Sequence, residues 1–186
     1  MVIRVKEKTI EEIESKLQSM NTDLNKIAYL ESALKIDFIF EIKRFIWETI
    51  SRLYEDRKMY DKSGRAMVGK ANIDITFREK IESYLKAGEL YAKAGKVDDS
   101  EQMFIRALRD ASESQKQKIK LAMKNIFLIS AQELEKKDKK LNSTYFYEKL
   151  VKMPLDSLEK QEIKNKLILI YKSLGKFREA RLLEGI

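Results

Sequence analysis

The chain contains no cysteine and no histidine. Disulfide staples, thiolate nucleophiles, zinc sites built from Cys and His, and every catalytic relay through an imidazole are therefore excluded. Proline occurs once and glycine six times in 186 residues. β-Sandwiches and barrels need turn residues every few positions, so this scarcity disfavours them and favours long helices. No apolar run approaches the roughly 18–20 residues that cross a bilayer. The opening Met1-Val-Ile-Arg-Val-Lys6 lacks the apolar stretch of a secretory leader. These absences lead to the expectation of a cytoplasmic protein without a membrane partner, organised as one domain over 1–186.

Apolar residues make up 44% of the chain, enough for a core, and charged residues 37%, more than an average domain carries. The net charge is +8, from 38 basic and 30 acidic residues. Residues 115–140 hold eight lysines against three acids, so a basic patch is expected there while the chain as a whole is no polycation.

The dominant hydrophobic period is helical. Ile10, Ile13, Leu17 and Met20 recur at three and four, as do Leu24, Ile27, Leu30 and Leu34, and Met103, Phe104, Ala107 and Leu108. Such one-sided stripes belong to helices that cover one another on one face. Thr9-x-x-Glu12, Thr76-x-x-Glu79 and Ser112-x-x-Gln115 have the form of capping boxes, and Asp98-x-x-Glu101 and Asp156-x-x-Glu159 are acidic versions. Asp37, Asn21 or Thr22, Asp61, and Asn142 or Ser143 are further starts, giving about ten helices and an all-α fold. Turns fall near Asn21, Lys58, Gly95, Lys137 and Gly175, at spacings of 37, 37, 42 and 38 residues. That period is the mark of a solenoid of helical hairpins.

The stretch Tyr84-x-x-Ala87-Gly88-x-x-Tyr91-x-x-x-Gly95-x-Val97-x-x-Ser100-x-x-x-Phe104-x-x-Ala107-Leu108 resembles a tetratricopeptide (TPR) repeat along its whole length. Trp47, Ile50, Ser51, Tyr54, Tyr60, Ser63 and Met67 match in the same register, and so do Leu167, Tyr171, Gly175, Phe177 and Ala180. Ile10, Ile13, Leu17, Leu30, Ala33 and Leu34 form a degenerate first copy, and Ile126, Ile129, Ser130, Phe146, Leu150 and Pro154 a degenerate fourth. The copies lie near 7–40, 44–77, 81–114, 123–156 and 161–186. The resemblance implies four to five repeats wound as a right-handed superhelix; separately, without His or Cys an enzyme would need a carboxylate, Lys or Tyr constellation, and none stands out, so neither a catalytic role nor a cofactor is expected. The resemblance also implies a protein–protein interaction scaffold that takes a peptide or helix of its partner in a concave groove lined by the first helix of each hairpin.

By the register of the resemblance, groove-facing residues are Phe45, Glu48, Arg52 and Glu55, then Leu85, Glu89, Ala92 and Lys93, then Phe127, Ala131 and Leu134, and finally Asn165, Leu169 and Lys172. The paired Lys/Asn clamp with which some TPR proteins hold a C-terminal carboxylate is not visible. A second reading is a nucleic-acid-associated protein contacting phosphates through Lys116, Lys120, Lys124, Lys136, Lys137, Lys139 and Lys140. The absence of arginine between Arg109 and Arg178 weighs against it. A third involves a homodimer through Leu182, Leu183 and Ile186, which the last repeat leaves without a covering helix.

Gly64-Arg-Ala-Met-Val-Gly69-Lys70 spells most of a phosphate loop, but Ala71 stands where Ser or Thr must hold magnesium, and a polar helical stretch precedes it instead of a strand. Adjacent carboxylates at Glu11-Glu12, Glu55-Asp56 and Asp98-Asp99 point in different directions on a helix and form no acid–base pair. Ile36 to Trp47 is apolar on more than one face, as in a central helix packed on both sides; the other reading sets Phe38 or Phe45 in a groove.

Overall fold

The computed structural model describes residues 4–185. It is an all-α helical repeat: α1 (Ile10–Gln18), α2 (Asp23–Ala33), α3 (Phe40–Asp56), α4 (Tyr60–Ala71), α5 (Phe77–Lys93), α6 (Val97–Asp110), α7 (Glu113–Lys136), α8 (Lys140–Lys152), α9 (Ser157–Ser173) and α10 (Phe177–Glu184). No strand occurs among the described residues. The chain forms two compact units, residues 1–115 and 116–186, and the division falls in the first turn of α7.

Helix starts obey two different rules. Thr9, Thr22, Thr76 and Asp156 each accept a hydrogen bond from a backbone amide three residues on, so α1, α2, α5 and α9 begin where the capping pattern predicts. Thr76 and Glu79 complete a reciprocal capping box. The Ser112 amide likewise donates to Gln115 Oε1 at 2.9 Å ahead of α7. Asp37, Asp61, Asp98 and the Asn142–Ser143 pair are not caps. Their helices start elsewhere, on Ile39, Met59, Lys96 and Lys139, and none of these uses a side chain.

The reason, for all but Asp37, is a repeated turn. Lys58, Gly95, Asp138 and Gly175 adopt left-handed backbone with φ of 58°, 76°, 53° and 72°. The amide after each donates five residues back, Met59 to Tyr54 O, Lys96 to Tyr91 O, Lys139 to Leu134 O and Lys176 to Tyr171 O, at 2.8–2.9 Å. Each is a Schellman closure that satisfies carbonyls at the end of one helix and launches the next without an N-cap side chain. The left-handed residues are therefore separated by 37, 43 and 37 positions. The fourth turn pivots on Asp138, one residue beyond Lys137.

Within the first unit α2 packs on α3, α3 on α4, α4 on α5 and α5 on α6. The α3–α4 and α5–α6 hairpins each close on a small residue. Ser51 Oγ and Ser63 Oγ lie 2.9 Å apart, and Ser63 Oγ donates to the Ser51 carbonyl at 2.7 Å. Thirty-seven residues on, Ser100 Oγ donates to the Gly88 carbonyl at 2.7 Å. Burying hydroxyls this way is inexpensive because each finds a partner across the hairpin. Successive hairpins are linked by Tyr54, whose phenolic O–H donates a hydrogen bond to Glu31 of α2. Desolvation, then the Glu31 carboxylate, raises the Tyr54 pKa. The core runs through Ile13, Leu30, Ile46, Ile50 and Tyr54.

In the second unit α8 packs on α9 and α9 on α10. Phe127 of α7 meets Phe146 of α8 edge to face, with ring centres 5.5 Å apart. Tyr147 donates to Glu135, and Tyr171 donates to Glu148 of the preceding helix as Tyr54 does to Glu31.

Candidate functional site

In the first unit, Phe45, Glu48, Arg52 and Glu55 of α3 line one open recess of about 410 Å³, together with Glu14, Met67 and Lys86. All four groove residues expected of the second copy are thus brought together. Glu55, Glu89 and Lys93 also meet, with Lys86, in a network of four charges. Lys86 Nζ reaches Glu55 at 3.0 Å and Glu89 at 3.7 Å, and Lys93 Nζ reaches them at 3.2 and 2.6 Å. Leu85 is half-buried, and Ala92 is buried in the core.

Burial alone would raise the Glu55 pKa, but hydrogen bonds from Lys86 and Lys93 and their charges outweigh it and hold the carboxyl below its ordinary value. A carboxylate with a depressed folded-state pKa stabilises above its unfolded value, and that stability disappears as pH falls through the folded value. Glu55→Gln is therefore expected to be less stable than the parent at pH 7, with the gap closing between about pH 5 and 3. Urea titrations across that range, read by the fluorescence of Trp47, measure it. A gap independent of pH would show that the network does not favour the ionised form.

In the second unit a recess of about 420 Å³ opens between α7, α8 and α9, lined by Lys124, Asn125, Leu128, Gln132, Tyr147, Leu150, Glu159, Glu162, Ile163 and Lys166. It corrects the expected register. Phe127 and Ala131 are wholly buried in the core and are not groove residues. Their neighbours Leu128 and Gln132 line the recess, and Glu135, next to Leu134, ion-pairs with Lys166 at 2.9 Å. Each position moves by one because the turn pivots on Asp138 instead of Lys137. Asn165, Leu169 and Lys172 do not line this recess: Asn165 accepts from Gln161, Leu169 is 66% exposed, and Lys172 pairs with Glu184 at 2.6 Å.

With the corrected turn, the two recesses occupy equivalent places. Arg44 of α3 pairs with Glu79 of α5 at 2.7 Å, and Lys124 of α7 pairs with Glu159 of α9 at 2.7 Å. Lower on the same helices Glu55 meets Lys86, and Glu135 meets Lys166. Every one of these residues has its counterpart 80 positions on. So do the turn residues Lys58 and Asp138, Gly95 and Gly175, and the caps Thr76 and Asp156. The α3–α4–α5 assembly and the α7–α8–α9 assembly thus share turns, caps and two interhelical ion pairs. Reading single repeats at 37 residues missed this longer period.

Several of the lysines at 116–140 have partners within the protein. Lys124 is committed to Glu159, Lys137 stands 3.8 Å from Glu133, and Lys140 3.8 Å from Asp138. Lys116 has a partner as well. Lys120 and Lys136 are exposed and form no ion pair among the described residues; 16 residues of helix separate them by about 24 Å. Lys139 is exposed on the turn. The excess charge lies over the whole second unit, which carries 17 basic and 9 acidic residues against 21 and 21 in the first.

Gly64 and Gly69 do not cradle a phosphate. They face the rings of Tyr91 and Trp47, and a Cβ at position 69 would lie 2.7 Å from Trp47 Cε2. Phe38 packs against the core of the first unit, and Phe45 shares that packing while lining the recess. Leu182 is 71% exposed, Leu183 is partly buried, and Ile186 lies outside the described residues. Among the described residues no group of three or more carboxylates is placed to hold a metal ion, and no helix is long and apolar enough to cross a membrane. No protein-family model and no curated protein matches this sequence.

Proposed function

We propose that this protein is a non-enzymatic interaction scaffold of TPR type, working in the cytoplasm, that holds a peptide or helical segment of a partner protein between the first helices of its hairpins. The observation that carries this reading is the pair of equivalent recesses, α3–α5 and α7–α9, each braced by a cation–glutamate pair at both ends. Half-exposed ion pairs contribute little to stability, typically about 0–1 kcal/mol. Their recurrence fits a role in fixing the spacing of helices around an opening. Mixed apolar and polar linings of several hundred cubic ångströms suit a few side chains of an extended or helical ligand.

Crosslinking of the full chain in cell extract, followed by peptide display on the purified protein, tests the reading. Crosslinks from Glu48, Arg52 or Lys166 to a protein segment, and selection of peptides by display, are the expected results. Salt-sensitive capture of RNA or DNA with no selected peptide would replace the reading with the nucleic-acid alternative.

A further inference from the structure

Equivalent positions in the two recesses carry different chemistry. In the first unit the stripe along α3 presents Glu48 and Arg52 to the recess. In the second unit the counterparts are Leu128 and Gln132 on α7. Ile163, which replaces the buried polar Ser83, joins the lining with Tyr147 and Leu150. Of the charges in this lining, Lys124 is paired with Glu159 and Lys166 with Glu135, while Glu162 is exposed without an ion-pair partner among the described residues. Its floor is therefore suited to an apolar side chain, whereas the first recess has to accommodate fixed charges.

The surroundings are strongly basic. The second unit has a net charge of +8, from 17 basic and 9 acidic residues, while the first unit is neutral. Lys120 stands one helical turn before Lys124, and Lys136 one turn after Gln132, so exposed ammonium groups flank the apolar stretch of α7 at both ends. The field of such a unit attracts acidic chains and repels basic ones.

Building on the scaffold reading above, we propose that the α7–α8–α9 recess docks an acidic amphipathic segment of a partner protein. An apolar side chain enters between Leu128, Leu150 and Ile163, and carboxylates on either side meet Lys120 and Lys136. The arrangement asks for side-chain carboxylates spread along the segment, not for a terminal carboxylate.

The test uses three fluorescein-labelled 16-residue peptides on the full chain. All share leucines at i, i+3, i+4 and i+7; the polar positions are Glu, Lys or Gln. Anisotropy titrations are expected to show binding of the Glu peptide, weakening with salt, and at least about ten-fold weaker binding of the Lys peptide. Leu128→Gln is expected to reduce affinity for the Glu peptide by about ten-fold or more, and Lys120→Glu with Lys136→Glu by a similar factor. Ile163→Gln serves as an independent probe of the floor, and circular dichroism confirms that each variant remains folded. Equal binding of the Lys or Gln peptide would overturn the acidic preference while leaving peptide binding intact. Binding of the Glu peptide unaffected by Leu128→Gln and Ile163→Gln would place it outside the recess and overturn the proposal. Failure of all three peptides overturns the proposal, and failure of unbiased display as well overturns the scaffold reading beneath it.

Discussion

Replacing Phe104 by alanine is expected to lower the stability of the first unit by about 3–5 kcal/mol. The ring is wholly buried in α6 and sits against the backbone of α5 at Gly88, where a Cβ would approach Phe104 Cε2 to 2.9 Å. Removing the ring takes away its transfer free energy and leaves a cavity that the hairpin cannot close, because Ser100 already ties the two helices together through the Gly88 carbonyl. Gly88→Ala approaches the same contact from the other side. An alanine in a helix interior normally gains about 1 kcal/mol over glycine, but overpacking a ring with no route to solvent costs about 1–3 kcal/mol, so a net loss is expected. Pairing Gly88→Ala with Phe104→Leu is expected to be less damaging than the sum of the two single changes. The only tryptophan, Trp47, lies in α3, so its fluorescence during urea unfolding reports on the first unit by itself. A loss below about 1 kcal/mol for Phe104→Ala would mean that the α5–α6 contact is not a main support of that unit.

The helical class and the residues of the hairpin contacts were legible because packing rules act through spacing. Small residues at 51, 63, 88 and 100 lie where two helices approach, and their hydroxyls and carbonyls meet as the spacing implies. Four of the expected N-caps are caps because a short acceptor side chain before an apolar run has a specific local role. The other starts, Asp37 apart, misled for an equally physical reason. Where a Schellman turn feeds a helix, the preceding carbonyl network sets the start, and a nearby Asp is merely a favourable charge in the first turn. The register error at the fourth hairpin arose from Ser130-Ala131, two small residues in succession. Sequence alone gave no reason to choose Ala131, while the structure buries it fully and places Asp138, a non-glycine, in the left-handed position. Without that pivot the 80-residue correspondence of the ion pairs could not emerge, because charged residues on helix surfaces have no periodic signature until the helices are aligned.

Asp74→Ala is the other substitution with a large expected effect, and it concerns the stretch that spells a phosphate loop. Lys70, the lysine of that motif, directs its ammonium at Asp74 Oδ1 and Oδ2 from 3.2 and 3.4 Å and at Ser83 Oγ from 3.2 Å. Ser83 in turn donates to Asp74 Oδ2 at 2.6 Å. The Asp74 side chain is fully shielded from solvent, and that of Lys70 is 16% exposed. Removing the carboxylate leaves a mostly buried cation and a buried hydroxyl without their common acceptor, which typically costs about 3–5 kcal/mol. The value here is expected near the lower end, because Lys70 keeps a narrow path to water. The double change Lys70→Met with Asp74→Ala is expected to recover most of the loss, since an apolar side chain of similar length needs no counter-charge. Urea unfolding of the two single variants and the double variant decides the matter. If Asp74→Ala costs less than about 1 kcal/mol, or the double variant is no better than the single, the lysine is not held by this pair and its role must be sought elsewhere.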